Sequence, residues 1–160
     1  MTRRINRNYK QWDMAQISGG KIFSSVLSGI TAKIGKATTV EVGFMEDATY
    51  PGGTQVALVA AVQEFGSSAK NIPPRPFFRN MIASKHGAWS DIARQLLVSN
   101  GYDAALTLQK LGEGIKGQLQ ESITSFQGAP LSPATIKAKG FDKALIDTGH
   151  MLNSVDYRVK

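Results

Sequence analysis

The clearest hydrophobic pattern lies in the second half of the chain. Ala104, Leu108, Leu111, Ile115, Leu119, Ile123 and Phe126 recur at intervals of three or four residues. On a helix these positions fall in one narrow stripe, so the spacing predicts a helix over 103–126. Gly112 lies beside the stripe, where it lets another backbone approach closely. Gly114 and Gly117 project to the far side, either as part of an intersubunit contact or as tolerated defects. A second helix is predicted from about Pro76 to Val98, with Phe78, Met81, Trp89, Ile92 and Leu96 on its apolar side and Lys85 interrupting it. Ser99-Asn100-Gly101 is its stop signal. A shorter helix runs to Phe65 with Thr54 as its cap and Val56, Val59, Ala60 and Gln63 on one face. The pattern over 12–36 is less regular. Trp12, Ala15, Ile22, Val26, Ile30 and Ile34 give partial helical spacing, whereas Gly19, Gly20 and Gly29 weaken it. This helix is expected to break near Gly19-Gly20, and packing rather than propensity has to hold it.

Two stretches alternate instead. Thr38–Met45 places Val40, Val42 and Phe44 on one face, and Ser154–Val159 does the same with Val155, Tyr157 and Val159, so both read as strands. Between them, 46–53 reads as a loop. Its glycines lack the following Gly-Lys-Ser/Thr of a phosphate-binding loop. Ser132 as N-cap, Pro133 in the first turn and Gly140 as terminator mark a short helix through Lys139. The fold class expected is α+β: a small, mostly antiparallel sheet with long helices packed on one face. A single domain spans 12–160, and its short strands leave edges that a ring of subunits could use.

One stretch stands out between the helices. Glu64-Phe65-Gly66 ends one, and Pro73-Pro74-Arg75-Pro76-Phe77-Phe78 opens the next. Gly66 can take positive φ at a helix C-terminus. Pro73 and Pro74 hold the chain extended. Pro76 sits where a helix begins without losing a hydrogen bond. The segment is either a helix-loop-helix corner or a rigid docking loop for a partner. Pro73 and Pro76 also match a PxxP spacing, which the corner explains better.

Composition narrows the classes. The 160 residues carry a formal net charge of +7 and no cysteine. Disulfides and thiolate metal sites are thereby excluded. Only His86 and His150 offer imidazoles, so a histidine metal cluster within the chain is not expected. No apolar run approaches the roughly 20 residues that span a bilayer, and the basic N-terminus lacks the apolar segment of a secretory signal. Residues 1–40 hold seven Lys/Arg against the single Asp13, so six of the seven net charges lie in the first quarter. Residues 1–11 read as a flexible basic arm, either a solvated tail or a contact for a polyanion or an acidic surface.

The segments combine into a recognisable signature. Ala60, Glu64, Phe65 and Gly66, followed by Pro74, Arg75, Pro76 and Phe77, resemble the A-x-x-x-E-F-G … P-x-R-P-F pattern of the tail-completion, or head-tail joining, proteins of long-tailed bacteriophages. The resemblance continues through Pro130-Leu131-Ser132, Thr135-Ile136, Lys139-Gly140, Leu145-Ile146-Asp147-Thr148-Gly149, Leu152 and Ser154, and covers roughly residues 40–160. His150-Met151 makes the spacing after Gly149 longer than the usual form. The resemblance implies a structural virion protein of the neck, assembled in the host cytoplasm. It would form a symmetric ring, a hexamer, between the tail terminator or tail tube protein and head connector proteins. It implies Glu64, Phe65, Gly66, Pro74, Arg75, Pro76 and Phe77 as the docking corner and Asp147, Thr148 and Gly149 as a C-terminal turn. DNA would pass through the lumen, where Arg3, Arg4, Arg7 and Lys10 are candidates for weak, salt-sensitive phosphate contacts. No catalytic residue, cofactor, metal or membrane is implied.

Asp147-Thr148-Gly149 also matches the catalytic triplet of aspartic proteases, in which two such carboxylates activate water. Too little chain follows it to build that β-rich body. Asp147 or Thr148 is instead expected to accept backbone N–H groups at a turn. There is no HExxH, GxSxG or cysteine nucleophile. Glu41, Glu46 and Asp47 lack a lysine in nuclease-like spacing, and His86 reads as solvated. A different class of function, a stand-alone nucleic-acid-binding protein acting through the basic N-terminal segment, uses none of the corner. Its aromatics interleaved with basic residues are few, Tyr9 and Trp12.

Overall fold

The computed structural model of the chain describes residues 20–128 and 130–160. The arm at 1–11 with Arg3, Arg4, Arg7 and Lys10, and the first helix's Trp12 and Ala15, lie outside the described residues.

The core forms around α4 (Ala104–Thr124). Asp103 opens this helix by accepting the Leu106 N–H at 3.0 Å, which satisfies a donor that has no partner inside the helix. Ala104, Thr107, Gly112, Ile115, Leu119 and Ile123 are its buried side. Leu108 is half-buried, and Phe126 packs on the core from beyond the helix end. α3 (Phe77–Ser99) lies along α4. Trp89 Nε1 donates to Gln118 Oε1 at 2.9 Å and Ser122 Oγ to the Phe77 carbonyl at 2.7 Å, pinning the two helices together. The turn joining them uses left-handed backbone at Gly101 and Tyr102.

The sheet packs on α4 as well. β1 (Val40–Phe44) and β2 (Val155–Val159) are antiparallel, with Val40 opposite Val159 and Phe44 opposite Val155. Both are slightly shorter than their alternation predicts. Thr39 and Lys160 still exchange both backbone hydrogen bonds, at 3.2 and 3.0 Å. Antiparallel alternation then turns the N–H and C=O groups of Val40, Val42 and Phe44 to the other edge of β1, which pairs with no strand among the described residues. Gly112 is closely approached, but by sheet side chains rather than by the backbone expected there. A Cβ there would stand 2.6 Å from Tyr157 Cδ2 and 2.8 Å from Val40 Cγ2. Gly114 and Gly117 meet nothing within 4 Å. The fold is therefore α+β, with a two-stranded antiparallel sheet and six helices among the described residues.

Three local expectations change. Gln55, not Thr54, is the N-cap of α2 (Val56–Phe65), with no side-chain cap bond. Thr54 is held earlier, its carbonyl accepting the Tyr50 N–H at 2.8 Å in the loop. The C-terminal turn expected at Asp147, Thr148 and Gly149 leads not straight into the strand but into a short helix, α6 (His150–Asn153), before β2. The largest change concerns α1 (Gly20–Ile34), which is helical as its spacing predicts. Packing among the described residues does not cover its apolar side: Ile22 is 71% exposed and Phe23 66%, and Val26, Leu27 and Ile34 are also exposed. By contrast α5 (Pro133–Lys139) matches its signals. Ser132 Oγ accepts the Thr135 N–H at 3.2 Å, and Gly140 ends the helix at φ 80°.

Candidate functional site

Helix α2 ends at Gly66, with φ 76° and ψ 178°. That backbone is almost restricted to glycine, and space enforces it too. A Cβ would lie 2.8 Å from both the Ile72 carbonyl oxygen and the Pro74 nitrogen. Ser67 and Ile72 exchange backbone hydrogen bonds of 2.9 Å, closing the loop over a 3₁₀ turn at Ser68–Lys70. Asn71 is left-handed there, at φ 51°.

α3 then starts at Phe77, with Pro76 as its N-cap rather than its first residue. A proline side chain offers no acceptor to the free N–H groups of that first turn. Glu64 supplies one from the end of α2. Its carboxylate accepts the Phe78 N–H at 2.9 Å, the Arg79 N–H at 3.2 Å and Arg79 Nε at 2.7 Å. A negative charge is also favoured there by the helix dipole. Glu64 and Phe77 are buried and hold the corner from within. Pro76 is half-buried, whereas Phe65 and Pro74 are exposed. The Arg79 guanidinium lies 5.0 Å from the centre of the Phe65 ring.

Arg75 is the unusual member. It is only 6% exposed. Its N–H donates to the Gln63 carbonyl at 2.7 Å and its Nη1 to Gln63 Oε1. Its Nε is buried and has no acceptor among the described residues. Burial lowers the guanidinium pKa below its ordinary value, because a charged group loses hydration there. No acid lies within salt-bridge distance of Arg75 among the described residues.

The C-terminal turn faces this corner. Gly149, at φ 78°, is the N-cap of α6. Thr148 Oγ1 accepts the His150 N–H at 3.4 Å, a long bond. Thr148 thus takes the role expected of Asp147 or Thr148, while Asp147 accepts no backbone N–H among the described residues. Burial, and then the charge of Asp147, raise the Tyr50 pKa above its usual value. His150, which breaks the usual spacing of the motif, donates from Nε2 to the Thr49 carbonyl at 2.9 Å. Its ring lies 4.6 Å from that of Tyr50.

Corner and turn together line one cleft of about 860 Å³. Arg75, Lys70, Lys139 and Asp147 bring charge to it, and Val59, Ile72 and Leu145 are among its apolar walls. Of the docking-corner residues, only Arg75 lines this cleft. Glu64, Phe65, Phe77 and Phe78 instead border a second groove of about 660 Å³ between β1 and α2, with Phe44 and Ala61. Lys70, Tyr50 and the Gln63 contact to Arg75 were not marked by any local motif, since they reach the cleft through chain reversals.

The chemistry on offer is a buried cation, two lysines and one carboxylate beside apolar walls. Among the described residues there is no group of three or more His, Asp or Glu able to hold a metal ion. His86 is exposed, its Nδ1 2.8 Å from the Ile82 carbonyl. Glu41 and Asp47 pair with Lys160 and Arg158 at 2.8 and 2.6 Å. No helix among the described residues is long and apolar enough to cross a membrane. Compared with known proteins, the chain matches no family model, no curated protein and no solved structure.

Proposed function

We propose that this protein is a structural component of a phage neck, completing the tail end and joining it to the DNA-filled head within a symmetric, sixfold ring. The observation that carries this reading is the convergence of the two motif segments. Arg75 of the corner and Asp147 and Thr148 of the turn, distant in sequence, line the same cleft, as a shared docking site requires. The apolar side of α1, with Ile22, Phe23 and Val26 exposed, and the edge of β1 that is unpaired among the described residues supply further surface for neighbouring subunits. Its partners in this reading are a tail terminator or tail tube protein on one side and head connector proteins on the other. The role is one of assembly, without a catalytic step, and its location is the virion after assembly in the host cytoplasm. Arg3, Arg4, Arg7 and Lys10 would meet passing DNA weakly.

The test is negative-stain microscopy of particles made without this gene. Separate filled heads and free tails, or tails with faulty ends, are expected. Normal joined particles would overturn the reading and shift weight to nucleic-acid binding through the basic N-terminal segment.

A further inference from the structure

We propose that the cleft at Arg75 is a carboxylate-binding site that receives an acidic side chain from an extended segment of a partner protein. Arg75 is more than nine-tenths buried, and its Nε–H lacks an acceptor among the described residues. The side-chain partner it does have, Gln63, is neutral. A guanidinium held this way bears a desolvation cost that a neutral amide does not offset, and a carboxylate is the group whose geometry matches its fork. The surroundings favour the same ligand. Lys70 lines the cleft and forms no salt bridge among the described residues. Lys139 lines it too, with its Nζ on the Lys143 carbonyl at 2.6 Å.

The walls decide between kinds of acidic partner. Val59, Ile72, Pro73, Leu145 and Met151 give the cleft an apolar lining. Such walls suit a peptide in which apolar side chains flank the acid, whereas a nucleic-acid backbone presents a continuous row of hydrated phosphates. Asp147 lines the same cleft and opposes an incoming carboxylate. It therefore tunes the site, so its removal strengthens binding. The segment cannot be the chain's own first 11 residues, which carry Arg3, Arg4, Arg7 and Lys10 and no acid.

The experiment is an NMR titration of the full chain with a short blocked peptide carrying one glutamate between leucines, and with its glutamine counterpart. The expected result is saturable shifts at the Arg75 Nε–H, Gln63 and Lys70, with the glutamate peptide bound about tenfold more tightly. Lys70→Glu should weaken that preference and Asp147→Asn strengthen it. Both residues are exposed, so these variants decide the matter without a substitution at buried Arg75. Equal binding of the two peptides, or no saturable shift by about 10 mM, would overturn the proposal. Tighter binding of a single-stranded oligonucleotide at the same resonances would overturn it in favour of a phosphate backbone. The proposal does not rest on the neck assignment: the titration leaves the particle phenotype untouched, and the particle phenotype leaves the titration untouched.

Discussion

Helices α1 and α4 have the same kind of sequence and opposite fates. Both repeat apolar residues at helical spacing, and both contain glycines that weaken a helix. α4 turns its stripe into the centre of the molecule, with Leu119 fully buried on a helix packed against both α3 and the sheet. α1 leaves Ile22, Phe23, Val26, Leu27 and Ile34 exposed. The difference teaches that amphipathic spacing specifies that a helix has an apolar side, while the cover for that side comes from elsewhere. In α4 the cover is the rest of this chain. In α1, among the described residues, it is not, and the neck reading supplies neighbouring subunits as the cover.

The sharpest way to break the comparison is to truncate one residue on each helix. Leu119→Ala should cost about 2–5 kcal/mol in urea unfolding, because it removes buried methyl groups and leaves a cavity. Val26→Ala should change monomer stability by less than about 0.5 kcal/mol, as expected of an exposed site. A large loss at Val26 in a monomeric sample would show that α1 is covered within its own chain.

The corner gives the next effects. Gly66→Ala should destabilise by about 2–3 kcal/mol, since alanine is strained at that φ and ψ and its Cβ meets two backbone atoms. Neither atom belongs to a side chain that could swing away. Unchanged thermal unfolding of this variant would mean that the loop has another conformation. Glu64→Ala should cost about 1–3 kcal/mol, because it strips the acceptor from two N–H groups at the start of α3. Faster amide exchange at Phe78 and Arg79 would identify the lost cap as the cause.

The smallest effect belongs to the sheet's polar face. Asp156 titrates below the usual carboxylate value, through its hydrogen bond with the Tyr157 backbone and then that from Lys116. A depressed folded-state value means that this stabilisation is present above the unfolded-state pKa and is lost as pH falls through the folded-state value. The side chain is largely exposed, so the loss should stay within about 0.5 kcal/mol. Asp156→Asn should remove that acid-side slope, measurable as a difference in unfolding midpoint between neutral and acidic buffer.

Much of this architecture was legible before any coordinates. The stripe at Leu111, Ile115, Leu119 and Ile123 placed the central helix, and the alternation at Val40–Phe44 and Val155–Val159 placed both strands. Gly66 and Gly112 were marked by their positions, and Ser132, Pro133 and Gly140 bounded α5. These are signals acting over a few residues, through backbone sterics, capping and periodicity, so the chain states them locally. What tertiary structure alone decided was which distant groups meet. It made Glu64, rather than the N-cap residue Pro76, the side-chain acceptor for the first N–H groups of α3, and it brought Arg75, Lys70 and Asp147 around one cleft. It also left the apolar side of α1 uncovered among the described residues. Each outcome depends on how a loop returns the chain and on which surfaces fill first, and no window of neighbouring residues contains that information.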